Sequence, residues 1–533
     1  MKRCGLLLGL ALLSSVHAVQ AYPGQVLRKF AAPGQFGTGL CYDGRYLWMA
    51  DYKSDRLYKI DPATGKKVSD IPSPGFWPMG LAYDGQNLWN IDGRQKKIFK
   101  VDPQSGAILT AIDSPSGSPE GLAWDGETLW LSDAREKSIM RLDLDDGTAV
   151  RIFAAPAQSP QGLAWDGTYL WCADRLSDEL HMIDPRSGEV IIVAKSPGPF
   201  PRGLAYDGTY LWNLDYQNDE IYQLVRQDLD FYRLDNPRTS RITLTHQANV
   251  YGQGRLQQLD VYLAIPEDRP GQAIFRANFT PGDPQRVKDR WGQTFAHFCY
   301  QNKRAETQLT SIMEVEARIS DIRYFIFPDR CGTLADVPPE IRDAYTSNGS
   351  KYLLDDPYIR NLAKQIVGDE TNPYWMARRI FDYVRNALEY KMEGGWNAAP
   401  VVLQRGTGSC SEYSFSFIAL CRAVGLPARY VGAIVVRGDD ASYDEDFHRW
   451  PEVYLPNYGW VPMDPQGGDK PSARDRALNI GNLSNRFLIT TVGGGDSEYI
   501  GWTYNSSETY TCDAQVKVEL ESFGEWQPIT IKK

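Results

Sequence analysis

Histidine is scarce in this chain, with five in 533 residues. His17, His181, His246, His297 and His448 are scattered singly, and neither His246 nor His297 has a Cys, His or carboxylate set nearby at metal-ligand spacing. No metal or other cofactor is therefore expected. Positive charge is also short: a net charge of -10 and a pI near 5.2 leave no basic stripe to neutralise phosphates, so no nucleic-acid partner is expected. Beyond the first 21 residues no apolar run approaches the roughly 20 residues that a bilayer span requires.

What is present is the composition of a globular protein, 42% hydrophobic and 23% charged. The length exceeds the roughly 250 to 300 residues at which single cores stop growing, so several domains are expected. Lys2 and Arg3, an apolar stretch over residues 6–16, and small residues at Ala18 and Ala21 read as a signal peptide over residues 1–21. That leader implies a secreted or periplasmic protein with no transmembrane segment after cleavage. Cys4 precedes the apolar stretch, which argues against a lipid-modified cysteine. Seven cysteines then remain, an odd number that flags one free or reactive thiol. Cys41 and Cys172 read as buried thiols, and a Cys299–Cys331 pairing stays open.

The first half is a repeat. GLCYDGRYLWMAD at Gly39 recurs from Gly80, Gly121, Gly162 and Gly203, each start 41 residues after the last. A period in the low forties with short strands and Asp-Gly turns is a signature of propeller blades. Turn glycines Gly24, Gly65, Gly106, Gly147 and Gly188 keep the same interval, but Leu229 stands where the next would fall. The last unit thus lacks an outer strand, and GQVLRKFA (24–31) is the spare that completes it. The expectation is a five-bladed all-β propeller over residues 22–227. Thr38, Met79, Glu120, Gln161 and Arg202, just ahead of each block, should crowd one face near the axis, where a polymer or protein ligand could bind.

Residues 228–335 alternate with period two around a Gly-Gln-Gly turn at Gly252–Gly254, the pattern of an antiparallel sandwich-like β domain. From residue 336 to 533 an α+β unit with C-terminal strands is expected. In it, Pro373 opens a helix whose apolar face holds Met376, Ile380, Tyr383, Val384, Ala387 and Leu388.

This last unit carries the chemistry. Ser409 and Glu412 form a capping box, which makes Cys410 the first residue of a helix ended by Gly425 and Pro427. A helix start favours thiolate, the competent nucleophile, whereas Cys421 lies on the apolar face and should be inert. His448, at the start of HRWPEVYLP, is the one histidine in the same unit, and Asp464 ends the hairpin partner WVPMDP, placed to orient the imidazole.

The Cys410 motif GTGSCSEYS, its continuation RAVGLPAR, HRWPEVYL and GWVPMDP together resemble the transglutaminase-like superfamily, whose fold is similar to the papain-like core. The resemblance covers roughly residues 352–492 and is strongest over 403–465. It implies Cys410 as nucleophile, His448 as base and Asp464 as orienting acid, acting on an amide of a protein or peptide substrate through a thioester. Similar members place Ala where Arg449 stands, an exchange expected to bear on substrate fit rather than on the triad. The oxyanion donor stays open among the Cys410 N–H and the side chains of Gln404 and Trp396. Some animal members of the family use calcium, but the acidic run Asp439, Asp440, Asp444, Glu445 and Asp446 reads first as a solvated loop.

The leading expectation is an exported thiol-dependent peptidase, amidase or protein-glutamine transferase with a propeller for substrate or partner binding. The alternative is a non-enzymatic propeller-based binding or scaffold protein with an inactive core.

Overall fold

A computed structural model describes residues 21–156, 158–227, 231–392, 396–438 and 441–530. The expected leader, Leu229, Gly394, Gly395, Asp439 and Asp440 lie outside the described residues, apart from residue 21 of the leader.

Two carboxylates build each repeat. In the block from Gly80, Asp84 Oδ1 accepts the N–H groups of Gln86 (2.9 Å) and Asn87 (2.6 Å), while Oδ2 accepts the indole N–H of Trp89 at 2.9 Å. Asp-Gly therefore turns the chain, with Gly85 at φ +93, and the same carboxylate pins the buried Leu-Trp pair. The indole bond recurs at Trp48 (2.8 Å), Trp130 (2.9 Å), Trp171 (2.7 Å) and Trp212 (2.8 Å). The aspartate closing each block ties down the loop before it: Asp92 accepts the Trp77 N–H at 2.6 Å and Asp215 that of Phe200 at 2.7 Å.

Each unit is a small antiparallel sheet with its strands in chain order, as in Gly37–Tyr42, Leu47–Asp51, Arg56–Ile60 and Lys67–Pro72. The last sheet borrows: Val26–Ala31 pairs antiparallel with Glu220–Val225, Phe30 opposite Ile221. Block-opening glycines allow the sheets to meet edge on. A Cβ on Gly121 would stand 2.4 Å from the Gln161 carbonyl oxygen of the next unit, and one on Gly203 2.9 Å from the Leu40 Cβ of the first. The result is a propeller-like array. Of the residues ahead of the blocks, Arg202 reaches Glu120 at 3.1 Å and Met79 Sδ at 3.9 Å, Gln161 is buried, and Thr38 donates to Pro78 O at 2.7 Å. They converge, but largely on one another.

The middle region is two packed antiparallel sheets. One is organised around the long strands Tyr232–Gly252 and Thr307–Tyr324, the other around Arg255–Ala264 and Thr294–Arg304, with Leu244, Val261, Leu263, Phe298, Met313 and Trp526 buried between them. Here the expected boundary changes. The C-terminal strands Ser506–Cys512 and Val516–Pro528 pair with Arg255–Ala264 and Tyr232–Gly252, so the end of the chain belongs to the middle sheets and not to the unit expected to start at residue 336. Alternation identifies such segments as strands but carries no information about which distant edge they join.

Among the described residues the α-helices lie in the segment between: α1 (Pro339–Tyr345), α2 (Pro357–Val367), α3 (Pro373–Ala387), α4 (Ala399–Arg405), α5 (Cys410–Ala423) and α6 (Ala473–Ala477). They pack with a four-stranded antiparallel sheet ordered Gly459–Pro462, His448–Leu455, Ala428–Val435 and Phe487–Gly493. The array and this helical region share one apolar core, with Trp171, Leu180 and Met182 of the array in the same buried cluster as Tyr374, Phe381 and Leu420. Polar bonds reinforce the seam. Glu189 pairs with buried Arg378 at 2.5 Å and with Arg476 at 2.6 Å, and Glu179 pairs with Arg474 at 2.7 Å.

Gly121→Ala should destabilise the array by about 1–3 kcal/mol, because the atom its Cβ meets is backbone and cannot step aside. A lowered denaturant midpoint with an intact far-ultraviolet spectrum is the expected result.

Candidate active site

Ser409, at φ -78 and ψ 172, is the N-cap of α5, and Cys410 is its first helical residue. The unpaired N–H groups of a helix start carry partial positive charge and favour a thiolate there. Glu412 completes the capping box, accepting the Ser409 N–H at 3.1 Å, the Asn397 N–H at 2.9 Å and Arg405 Nη2 at 2.9 Å. Burial opposes its charge, but these donors outweigh burial and keep its pKa below the ordinary value. One ionised carboxylate thereby fastens the end of α4 and the loop at Asn397 to the mouth of α5.

His448 begins its strand opposite Ala433. Nε2 lies 2.8 Å from Asp464 Oδ2, which leaves Nδ1 free to face the Cys410 thiol, the other group that raises the imidazole pKa. Trp450 and Phe487 flank the imidazole with centroids 5.6 and 5.8 Å away. Asp464 is held by its own turn, Oδ1 accepting the N–H groups of Gln466 (3.1 Å) and Gly467 (3.0 Å). The three residues picked from the sequence are thus brought into one chain.

Electrostatics favour the ion pair within that chain. Burial disfavours a charged imidazole, yet the Asp464 charge and hydrogen bond, helped by Cys410, raise His448 to about 10. Burial likewise opposes a thiolate at Cys410. It is outweighed by the hydrogen bond and charge of His448, the Arg449 backbone N–H and the Arg449 cation, and the thiol falls below its usual value. Cys421, fully buried in the same helix, is pushed well up by burial.

Sequence reasoning missed Tyr504. Its ring lies over Gly432, where a Cβ would come within 2.5 Å. Burial, with the charge of the neighbouring Cys410 next, raises its pKa. Of the two side chains expected as oxyanion donors, Gln404 is exposed near the end of α4, and Trp396, at φ +47, packs its ring 6.3 Å from that of Tyr504. Nothing in the local pattern around Tyr504 marks it, and the chain returns it to the site only after the sheet is complete.

The remaining described histidines have local partners. His181 lies 3.1 Å from Glu179, His246 Nδ1 2.7 Å from Ser522 Oγ, and His297 2.8 Å from Asp260. Burial lowers His246 to about 4. Among the described residues no cluster of three or more His, Cys, Asp or Glu is set to hold a metal ion. In the acidic run, Asp444 is committed to Arg437 Nε and the Val435 N–H, both at 2.7 Å. All seven described cysteines are free thiols, Cys299 and Cys331 among them.

Residues 360–465 match the model of the transglutaminase-like superfamily core, so this segment holds a transglutaminase-like domain. Uncharacterized protein YebA of Bacillus subtilis is 26% identical over 149 residues, 23% of this chain and 20% of that protein. An uncharacterized protein of Haemophilus influenzae is 28% identical over 162 residues, 25% of this chain and 44% of that protein. The chain therefore spans less than half the length of either relative. Among solved structures, a Cytophaga hutchinsonii chain provisionally named a cysteine protease aligns over 55% of this chain and 92% of its own, at 17% identity and TM-score 0.39. Myxococcus xanthus glutaminyl cyclase aligns over 38% of this chain and 97% of its own, at 16% identity and TM-score 0.35. Scores this low carry no argument about this chain.

The pH dependence follows from the two shifts. Thiol reactivity of Cys410 should persist below the ordinary thiol range of about 8.5 and be lost on acidification through its lowered pKa. Turnover that needs the His448 proton should fall on the alkaline side near 10, where the imidazolium is lost. A pH–kcat/KM profile with an acid limb below the ordinary thiol range and an alkaline limb near 10 checks both.

Proposed function

We propose that the protein is an exported thiol-dependent enzyme that cleaves or transfers the acyl group of an amide in a protein or peptide. The observation that supports this most is the chain from Asp464 through His448 to a lowered-pKa cysteine at a helix start. In the reaction, the Cys410 sulfur attacks the amide carbonyl carbon and the C=O electron pair moves to oxygen. The Cys410 N–H and the Tyr504 hydroxyl are the donors within reach of that oxyanion. Collapse breaks the C–N bond, and His448 gives its Nδ1 proton to the departing amine. Water or a second amine, deprotonated by His448, then attacks the thioester and frees the sulfur. Asp464 holds the imidazole tautomer throughout and stabilises its cation.

The array reads best as a five-bladed propeller closed by its first strand, and we assign it a share in the substrate site. A cavity of about 810 Å³ has His448 and Asp464, though not Cys410, in one wall and Tyr22, Gln25, Ser177 and Lys195 of the array in another. Junctions between domains are favoured places for ligand sites. Because the array and the helical region share a core, its removal would strip apolar surface from both, so point variants are the better probe. The basic, then apolar, start of the sequence supports export to the periplasm or medium.

Incubation with a glutamine peptide and a tagged amine, followed by mass spectrometry, tests the chemistry. Hydrolysed or amine-exchanged peptide is expected, abolished in Cys410→Ala. Tyr504→Phe should lower kcat by about 10- to 1,000-fold with little change in KM. No product with any amide, together with unaltered ligand binding by Cys410→Ala, would favour the binding-protein alternative. Ser177→Trp, which narrows the cavity from the array side, should raise KM for a macromolecular substrate and leave Cys410 alkylation by a small reagent unchanged. An unchanged KM removes the array from the substrate site.

A further inference from the structure

Arg449 directly follows His448 in its strand, and its surroundings are unusual. The side chain is fully buried, and its one hydrogen bond among the described residues runs from Nη2 to the Trp502 carbonyl at 2.6 Å. Nε and Nη1 are buried with no hydrogen-bond partner, and no described carboxylate pairs with the guanidinium. Four rings enclose it instead: Tyr504 at 4.3 Å, Tyr430 at 4.4 Å, and Trp396 and Phe415 both at 5.0 Å from Cζ to centroid.

A cation taken out of water without a counter-charge costs several kcal/mol, and aromatic faces return only part of that. An apolar side chain of similar volume would fill the same space at lower cost. Something in the working protein must therefore supply negative charge beside it. The residue lies beside the nucleophile: Ser414 Oγ, 2.8 Å from the Cys410 carbonyl oxygen, is also 3.4 Å from that of Arg449, and the Tyr504 ring lies 4.3 Å from the guanidinium. The ionisable groups facing Cys410 are His448, Tyr504, Tyr390 and, from the neighbouring loop, Arg437. Arg437 is neutralised by Asp444 at 2.7 Å. Arg449 is the cation in this set that has no carboxylate of its own and does not lose its proton.

We infer that Arg449 is a positioning residue for the nucleophile, a permanent counter-charge sealed behind Cys410 that keeps the sulfur anionic whether or not His448 holds its proton. The distinction matters within the cycle. When the thioester breaks, the sulfur departs as an anion, and the guanidinium favours that departure in addition to the imidazolium that His448 becomes on deprotonating the attacking water or amine. This inference rests on Cys410 being the nucleophile, and the experiment separates the two.

The full chain is alkylated with iodoacetamide from pH 4 to 10, and modification is quantified at Cys410 by peptide mass spectrometry. Arg449→Met, which keeps volume and removes charge, should slow Cys410 alkylation at pH 6 by about 10-fold or more, while rates at pH 10 converge with wild type. Arg449→Lys, which restores charge, should recover most of the acid-side rate. Arg449→Gln supplies a second uncharged variant should the methionine substitution fail to fold. In a His448→Ala background the loss of charge at Arg449 should still shift the profile. Superimposable profiles for wild type and both uncharged variants would overturn the inference, as would Arg449→Lys as impaired as Arg449→Met. A wild-type Cys410 alkylated no faster at neutral pH than the exposed Cys299 would instead overturn the nucleophile itself, whatever Arg449 does.

Discussion

The seat of α5 against the strand His448–Leu455 is the contact on which the other parts of the site depend. It sets a helix start, an imidazole and a backbone N–H around a single sulfur atom. Placing those dipoles and charges where little water reaches is costly, and the surrounding residues are largely occupied with offsetting that cost. Glu412 absorbs the loose N–H groups at the helix mouth, Trp450 and Phe487 hold the imidazole plane, and the turn after Asp464 fixes the carboxylate before it meets the ring. In these surroundings the Cys410 thiol falls below its usual value.

The same economy extends to the seam with the repeat array. Arg378 is an interior residue of α3, yet it ends on Glu189 of the fourth repeat, and Arg476 meets the same carboxylate from α6. Together with the shared apolar cluster, these bonds make the array a wall of the helical region and not a tethered module. A cavity between them then has walls that keep their spacing, as selection among substrates requires.

How much of this could be read beforehand depended on how local each signal was. The repeat strands, the cap at Ser409 and Glu412, and the pairing of His448 with Asp464 across a short hairpin are encoded within twenty residues of themselves, and the sequence displays them. Tyr504, by contrast, reaches Cys410 from beyond the last strand of the sheet, and no periodicity links the two. Gln404 was attractive by spacing alone, but the helix α4 carries it to the surface. Arg449 was visible as an oddity within a motif; its meaning required knowing that Trp396, Phe415, Tyr430 and Tyr504 converge on it from four separate segments. The C-terminal strands were recognisable as strands, while their partners nearly three hundred residues earlier were not.

The borrowed strand Val26–Ala31 also bears on time. Its partner strand is made almost two hundred residues later, as the bond between Arg28 and Gln223, 195 positions apart, records. The last sheet of the array cannot be assembled until the chain has been made through residue 225, since it pairs the first strand of the repeat region with the last. The other four sheets can each form from contiguous chain as it emerges. Closure is thus a late event, and once the strand docks it couples the first repeat to the last.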